Sequence, residues 1–139
     1  MKKQQYRHGD VFLQSATIPE NVKPVKGLTL AWGEATGHHH SLEPIKLTKK
    51  YMANVKEGPS LVQRYVTGKE LLELQKVDYQ GGRKAPVLME TEDGRMFFRC
   101  FNTTVLTHQE HSAIVLPAGD YERIIQREYS PEAIKRVVD

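Results

Sequence analysis

The sequence predicts a mainly β protein, a small single-domain antiparallel β-barrel or sandwich with two short helices. Three observations lead to this class. Apolar and polar residues alternate with period two in segments that end at turn residues, which is typical of half-buried antiparallel strands. The chain has 139 residues, so residues 1–139 fit one domain with a single core. Its 39% hydrophobic and 27% charged residues are those of an ordinary globular protein, which argues against a disordered or membrane class.

The first third of the chain contains two predicted strands. DVFLQS, residues 10–15, is the first, and ATIPENVKPVKG, residues 16–27, is predicted to be a loop because it contains two prolines and a glycine. LTLAWGEATGHHH, residues 28–40, is the next strand, with Leu30 and Trp32 on one side. The glycines within this segment can mark a bulge or turn that resets the alternation.

The middle of the chain combines a helix and a hairpin. TGKELLELQKV, residues 67–77, predicts a short helix, because Thr67 and Glu70 have the spacing of a capping box. DYQGGRKAP is a loop. VLMETEDGRMFFRCF, residues 87–101, predicts a hairpin in which Asp93 and Gly94 form a type I′ turn.

The end of the chain predicts a second hairpin and a second helix. HSAIVLPAGDYERIIQREY, residues 111–129, contains two apolar strands around a turn at Pro117 and Gly119. The helix is expected at SPEAIKRVVD, where Ser130 can act as N-cap and Pro131 can occupy the first helical position.

Charge and cysteine content narrow the functional classes. The net charge of +3, from 20 basic and 17 acidic residues, predicts only modest attraction to nucleic acid. The single cysteine, Cys100, lies in an apolar alternating segment, which is typical of a buried structural thiol. It cannot form an internal disulfide, which favours a reducing, cytoplasmic location. The N-terminal MKKQQYRHGD is not followed by an apolar signal sequence, and no stretch approaches the ~20 apolar residues of a membrane span. We therefore expect no membrane association.

Histidines provide the strongest indication of function. Five of the six lie in two clusters, His38, His39 and His40 in GEATGHHHSLEP, and His108 and His111 in LTHQEHSAIVLPAGDY. Neutral imidazole binds zinc, iron, nickel, copper or manganese. Such clustering favours a site for one divalent transition metal. The alternative is a solvated HHH turn, with the later pair bonded to the backbone at a strand start.

Alternation within a strand selects the candidate ligands. His38 and His40 are two residues apart and should share one face, whereas His39 should point away. Glu34 has the same parity and is a further candidate. Glu110 lies between the two later histidines, where its carboxylate can also bind a metal.

Other motifs are either weak or missing. His8 and Asp10 in RHGD lie near a strand start, where one of them can join a site at the mouth of a barrel, although organising a turn is the simpler interpretation. The sequence contains neither GxxxxGK[ST] nor GxSxG, which excludes P-loop NTPases and α/β-hydrolases.

The HxH on a strand, the later histidines and the LPAG turn resemble the metal-binding cupins, which are small β-barrels. The resemblance implies a ligand set of two histidines from the HxH, a glutamate such as Glu43 and a distant histidine. The strings GEATGHHH, LTHQEHSAIVLPAGDY and QREYSPEAIKRVVD are also similar to a set of small bacterial and phage proteins, a resemblance that implies no function.

The leading hypothesis is therefore a cupin-like protein that binds zinc, iron, nickel or manganese through His38, His40, His108 and His111, or through three of these with Glu110 or Glu34. Three protein ligands leave a coordination position for water or a small-molecule ligand, as in a metalloenzyme, whereas four make the site structural.

The alternative hypothesis is a non-catalytic accessory protein, of bacterial or phage origin, that binds a protein or nucleic acid. Its contacts would come from basic loops that contain Lys49, Lys50, Arg83 and Lys84. A third interpretation is a β-rich protein that forms a homo-oligomer and whose histidines are incidental.

Overall fold

The computed structural model describes residues 4–32 and 38–125, which form twelve strands and one helix. The helix, α1 (Gly68–Gln75), connects the seventh and eighth strands. The strands in chain order are β1 (Gln5–His8), β2 (Val11–Ser15), β3 (Val22–Val25), β4 (Thr29–Trp32), β5 (His39–Pro44), β6 (Lys50–Glu57), β7 (Ser60–Thr67), β8 (Val87–Thr91), β9 (Met96–Cys100), β10 (Thr104–Thr107), β11 (Ile114–Leu116) and β12 (Gly119–Ile125).

The strands form three antiparallel sheets. The largest has the order β1-β2-β12-β9-β8-β3, the second has the order β11-β10-β5-β4, and β6 and β7 form a separate hairpin. The prediction of a mainly β, antiparallel protein is confirmed. The barrel alternative is wrong for the described strands, because each sheet ends in edge strands and none closes on itself.

Two apolar cores lie on opposite faces of the four-stranded sheet. Val105 and Leu106 are neighbours in β10, yet they belong to different cores because successive strand side chains point to opposite faces. The first core joins the two large sheets and includes Leu13, Leu42, Phe98, Leu106 and Tyr121. The second joins the four-stranded sheet to α1 and the β6–β7 hairpin, and includes Tyr51, Val66, Leu71, Val105 and Val115.

The first third of the chain differs from its prediction in two places. Strand β3 lies within the predicted loop and pairs with β8 at the edge of the large sheet, where Pro24 is tolerated. Strand β4 has a register shift between Thr29 and Ala31, so Leu30 is buried whereas Trp32 is 65% exposed. The expectation that these two side chains share a face is therefore wrong, and residues 33–37 lie outside the described ranges.

The predicted helix and the predicted 87–101 hairpin are both present. Thr67 and Glu70 form the complete capping box at the start of α1. The β8–β9 turn is not type I′, however, because Gly94 (φ 86°) has positive φ whereas Asp93 does not. The Gly94 amide donates to the Thr91 carbonyl, and the Thr91 amide to the Arg95 carbonyl, which closes a three-residue loop.

The prediction of a second hairpin is wrong. Strand β11 pairs with β10, whereas β12 lies between β2 and β9 in the other large sheet. Pro117 and Ala118 therefore carry the chain from one sheet to the other. The predicted second helix and the QREY string lie outside the described residues. No helix in the described part of the chain is long and apolar enough to cross a membrane.

Candidate metal centre

Pairing of β5 with β10 brings the two histidine clusters together. Ser41 pairs with Thr107, so the residues before and after this pair, His40 and His108, are adjacent. His111 follows in the loop between β10 and β11. One potential ligand atom from each of these three histidines lies within 4.8 Å of the other two. Residues that are 68 positions apart in the sequence thus form one cluster that can hold a metal ion.

The three rings surround a partly enclosed space. The ring centroid of His108 lies 4.5 Å from that of His40 and 4.4 Å from that of His111. His40 is fully buried, whereas His108 and His111 are partly exposed. The cluster therefore has a buried side at His40 and a solvent-facing side at the loop.

The other predicted ligands lie beside this cluster. The His38 ring centroid is 5.5 Å from that of His108, and its Nε2 is 3.6 Å from Oε1 of Glu110. His38 is thus on the same side as His40, as predicted, but does not belong to the cluster of three. Glu34 lies outside the described residues.

His39 points away from the cluster, in agreement with strand alternation. Its ring packs against Trp32 with a centroid distance of 5.1 Å. Its backbone N–H donates to Oε1 of Gln109 at 2.7 Å, which ties β5 to the loop that contains His108 and His111. This neighbour of His40 has the same chemistry but a different environment, which makes it a natural control.

His8, which the sequence did not identify as a main candidate, contacts the cluster from β1. Its Nδ1 is 2.9 Å from Nδ1 of His40, and its Nε2 is 2.9 Å from the Ser112 carbonyl oxygen. Burial and then the charge of the neighbouring His40 lower the pKa of His8 to about 3, although the bond to Ser112 opposes the shift. His8 is therefore a neutral imidazole near pH 7.

Asp10 lies on the other side of His40. The turn between β1 and β2 contains Gly9 with φ 63°, and it brings the Asp10 side chain into the interior, where the residue is 2% exposed. Oδ1 of Asp10 is 3.7 Å from Nε2 of His40. The RHGD segment thus forms a turn and also brings the side chains of His8 and Asp10 to the site. This second role depends on the pairing of distant strands, so the local sequence does not indicate it.

His108 has a different hydrogen-bond arrangement from His40. The Glu110 backbone N–H donates to Nδ1 of His108 at 3.0 Å. A neutral ring with an accepting Nδ1 has its proton on Nε2. His108 must therefore give up this bond to bind a metal: a metal on Nδ1 takes the same lone pair, and a metal on Nε2 requires the proton to move to Nδ1.

A polar cavity adjoins the cluster. It has a volume of about 300 Å³, and its lining includes His8, His111, Arg7, Asn54 and Gln63. Amide and guanidinium groups at its wall suit a small polar ligand.

Two of the four basic residues proposed to contact nucleic acid interact with side chains of the same chain. Lys49 Nζ is 2.7 Å from Oε1 of Glu43, and Lys84 Nζ lies 3.9 Å from the ring centroid of Phe101. Lys50 and Arg83 are exposed. Half of this predicted nucleic-acid surface is thus paired with neighbouring side chains.

Cys100 is buried in the first core, and burial raises its pKa to about 12. A thiol in this state is not a nucleophile near neutral pH. The sequence interpretation of Cys100 as a structural residue agrees with this environment.

Comparison with known proteins identifies a family. The family described as "Domain of unknown function (DUF8820)" matches residues 7–76, just over half of the chain. The match includes His8, Asp10 and His40, and it ends before His108 and His111. No curated protein and no solved structure matches the chain. The chain belongs to the DUF8820 family.

Proposed function

We propose that the protein binds one divalent transition metal ion through His40, His108 and His111. The observation that supports this function is the convergence of three imidazole nitrogens within 4.8 Å of one another. In a tetrahedral site with metal–nitrogen bonds of about 2.0–2.1 Å, ligand nitrogens are roughly 3.4 Å apart. Shortening of these nitrogen–nitrogen distances by up to about 1.4 Å therefore gives a normal coordination sphere.

Asp10 favours a cation at this position. Its carboxylate is almost fully buried and lies 3.7 Å from the His40 nitrogen that faces it. A carboxylate attracts a cation at short range, and more strongly in the interior than in water. A divalent ion next to His40 Nε2 would therefore interact favourably with Asp10, which would balance an ion that is otherwise held by neutral ligands.

Three protein ligands fit an open site. A remaining coordination position can accept water or a small molecule, and the polar cavity beside His111 provides space for one. A metal in such a site polarises a bound oxygen or lowers the pKa of its water. The likeness to cupins is limited to the ligand types, because the described sheets do not close into a barrel. One histidine of the HxH, His40, joins the later histidines, while His38 and Glu110 lie at the rim.

Metal titration of the purified full chain tests this function. Protein treated with a chelator and dialysed should bind about one Zn²⁺, Ni²⁺, Fe²⁺ or Mn²⁺ per chain, measured by calorimetry and elemental analysis. His108→Ala and His111→Ala should each lose most of the affinity. His39→Ala is the matched control, because it removes an adjacent imidazole that packs against Trp32 instead of the cluster.

Negligible binding by the wild type, or equal losses in His39→Ala and His108→Ala, would overturn the proposal. The partly exposed His108 and His111 serve as the main test positions because His40 is fully buried and its replacement can affect folding. Protons compete with metal for imidazole, so affinity should also fall between about pH 7.5 and pH 5. Asp10→Asn should retain the stoichiometry but weaken binding, since it removes only the charge.

A further inference from the structure

We infer that His8 is a positioning residue that fixes the tautomer of His40, with the proton on Nδ1 and a lone pair on Nε2. This inference rests on the proposed function in one respect: it identifies Nε2 as the atom through which His40 binds the metal. Two hydrogen bonds, each with only one possible direction of donation, support this tautomer.

The first hydrogen bond sets the proton on His8. A backbone carbonyl oxygen can only accept, so the 2.9 Å contact between His8 Nε2 and the Ser112 oxygen requires a proton on Nε2. A second proton would make a cation at a position that is 3% exposed and has His40, His108 and His111 around it. His8 is therefore neutral, and its Nδ1 has a lone pair.

The second hydrogen bond sets the proton on His40. Nδ1 of His8 and Nδ1 of His40 are 2.9 Å apart, and the rings are inclined by 75°. Because His8 Nδ1 can only accept, His40 Nδ1 must donate. A neutral His40 with its proton on Nδ1 has no proton on Nε2.

The opposite tautomer of His40 is unfavourable in the same geometry. It would place two lone pairs against each other at 2.9 Å between the Nδ1 atoms. Its Nε2 proton would face the Asp10 carboxylate at 3.7 Å, which is beyond normal hydrogen-bond distance, so that attraction is weaker than the repulsion between the two Nδ1 atoms. The short Nδ1 contact therefore favours the tautomer whose Nε2 can bind a metal.

Such support is common around metal ligands. A ligating histidine usually donates its other ring proton to a carboxylate, carbonyl or water, and loss of that partner lowers metal affinity by about 10- to 100-fold. Here the partner is a second imidazole, which is itself fixed by the Ser112 carbonyl.

Two variants of similar polarity separate positioning from packing. In His8→Asn, Oδ1 is two bonds from Cβ, as Nδ1 is in histidine, so it can still accept from His40. In His8→Gln, the amide reaches the Nε2 position and can still donate to Ser112, but the acceptor for His40 is lost. A structural role alone predicts similar behaviour for both.

The primary measurement is the imidazole ¹⁵N spectrum of metal-free full-length protein near pH 7.5, which reports the protonated nitrogen of each neutral ring. We expect His40 to have its proton on Nδ1 in the wild type and in His8→Asn, and to lose this preference in His8→Gln. Zn²⁺ affinity, from competition with a chromophoric chelator, should fall by about 10- to 100-fold in His8→Gln and much less in His8→Asn.

A His40 proton on Nε2 in the wild type would overturn the inference, and this result needs no variant to fold. Equal Zn²⁺ affinities in His8→Asn and His8→Gln, in folded proteins, would also overturn it. If the wild type binds no metal, the proposed function fails, whereas the tautomer measured in the same metal-free sample still decides the role of His8.

Discussion

Gln75, the last residue of α1, hydrogen-bonds to the edge of the four-stranded sheet. Its Nε2 donates to the Ala113 carbonyl at 2.9 Å, and its Oε1 accepts from the Val115 amide at 2.7 Å. Strand β11 is an edge strand of this sheet, so the side-chain amide takes the place of a neighbouring strand. We predict that Gln75→Ala destabilises the protein more than any ordinary exposed helix substitution.

The magnitude follows from the two backbone groups that lose their partner. A net contribution of about 0.5–1.5 kcal/mol for each hydrogen bond gives a loss of about 1–3 kcal/mol in the free energy of unfolding. Ala113 and Val115 are buried, but Gln75 itself is exposed, so water can enter the space that its side chain leaves, which favours the lower half of this range. For a chain of this length, the melting temperature should fall by about 3 °C for each kcal/mol.

Urea unfolding followed by circular dichroism measures this effect. Glu73→Ala is the control, because it makes the same kind of truncation at an exposed position of the same helix. The control should change the free energy of unfolding by no more than about 0.5 kcal/mol. A Gln75→Ala loss no larger than that of Glu73→Ala would show that these two hydrogen bonds do not stabilise the edge.

Four further predictions concern stability and reactivity. Thr67→Ala should lower the free energy of unfolding by about 1 kcal/mol in urea titration, because it removes the side-chain oxygen that accepts from the Glu70 amide. Gly68→Ala should lower the melting temperature, although alanine normally favours a helix by about 1 kcal/mol, because its Cβ would lie 2.1 Å from the Lys46 carbonyl oxygen; an increase would contradict this packing. Cys100 should resist iodoacetamide near pH 8 and react after denaturation, because burial raises its pKa to about 12. Since this pKa lies above the ordinary value of 9.0, the stability that Cys100 contributes is complete below about pH 9 and is lost as pH rises toward 12, which alkaline urea titrations of wild type and Cys100→Ala should reveal.

Elements with a local signal were predictable from sequence. The α1 helix begins where Thr67 and Glu70 can satisfy each other's backbone amides, and this pattern needs no tertiary contact. The β6–β7 hairpin has a comparable local pattern in its sequence. Tyr51, Ala53 and Val55 alternate on the buried face of β6, and Gly58 has the positive φ of a tight turn.

Elements that depend on distant partners were not predictable. Strands β11 and β12 are separated by two residues and resemble a hairpin, but each pairs with strands from elsewhere in the chain. Both faces of β11 are covered, because Val115 packs with the helix side and Leu116 with the large sheet. Local alternation does not contain the information that selects between these partners.

The same distinction applies to the histidine site. Composition and strand parity identified His40, His108 and His111 among the candidates, and they correctly separated His39 from them. The register of β5 against β10 decided which histidines meet, and this register is a property of the whole sheet. His8 required a third strand, β1, and the long-range contact with Ser112.

The candidate site combines a buried half and a partly exposed half. The family match contains the buried half, in which the Nδ1 atoms of His8 and His40 lie within hydrogen-bond distance and Asp10 faces Nε2 of His40. His108 belongs to the loop after β10, and its Nδ1 accepts from the Glu110 amide.

Metal binding must therefore break that bond, at a cost of about 1 kcal/mol, while His40 needs no comparable change. Under the proposed function, the partly exposed loop ligands His108 and His111 are the groups that would have to change position, whereas the fully buried His40 would set where the ion lies.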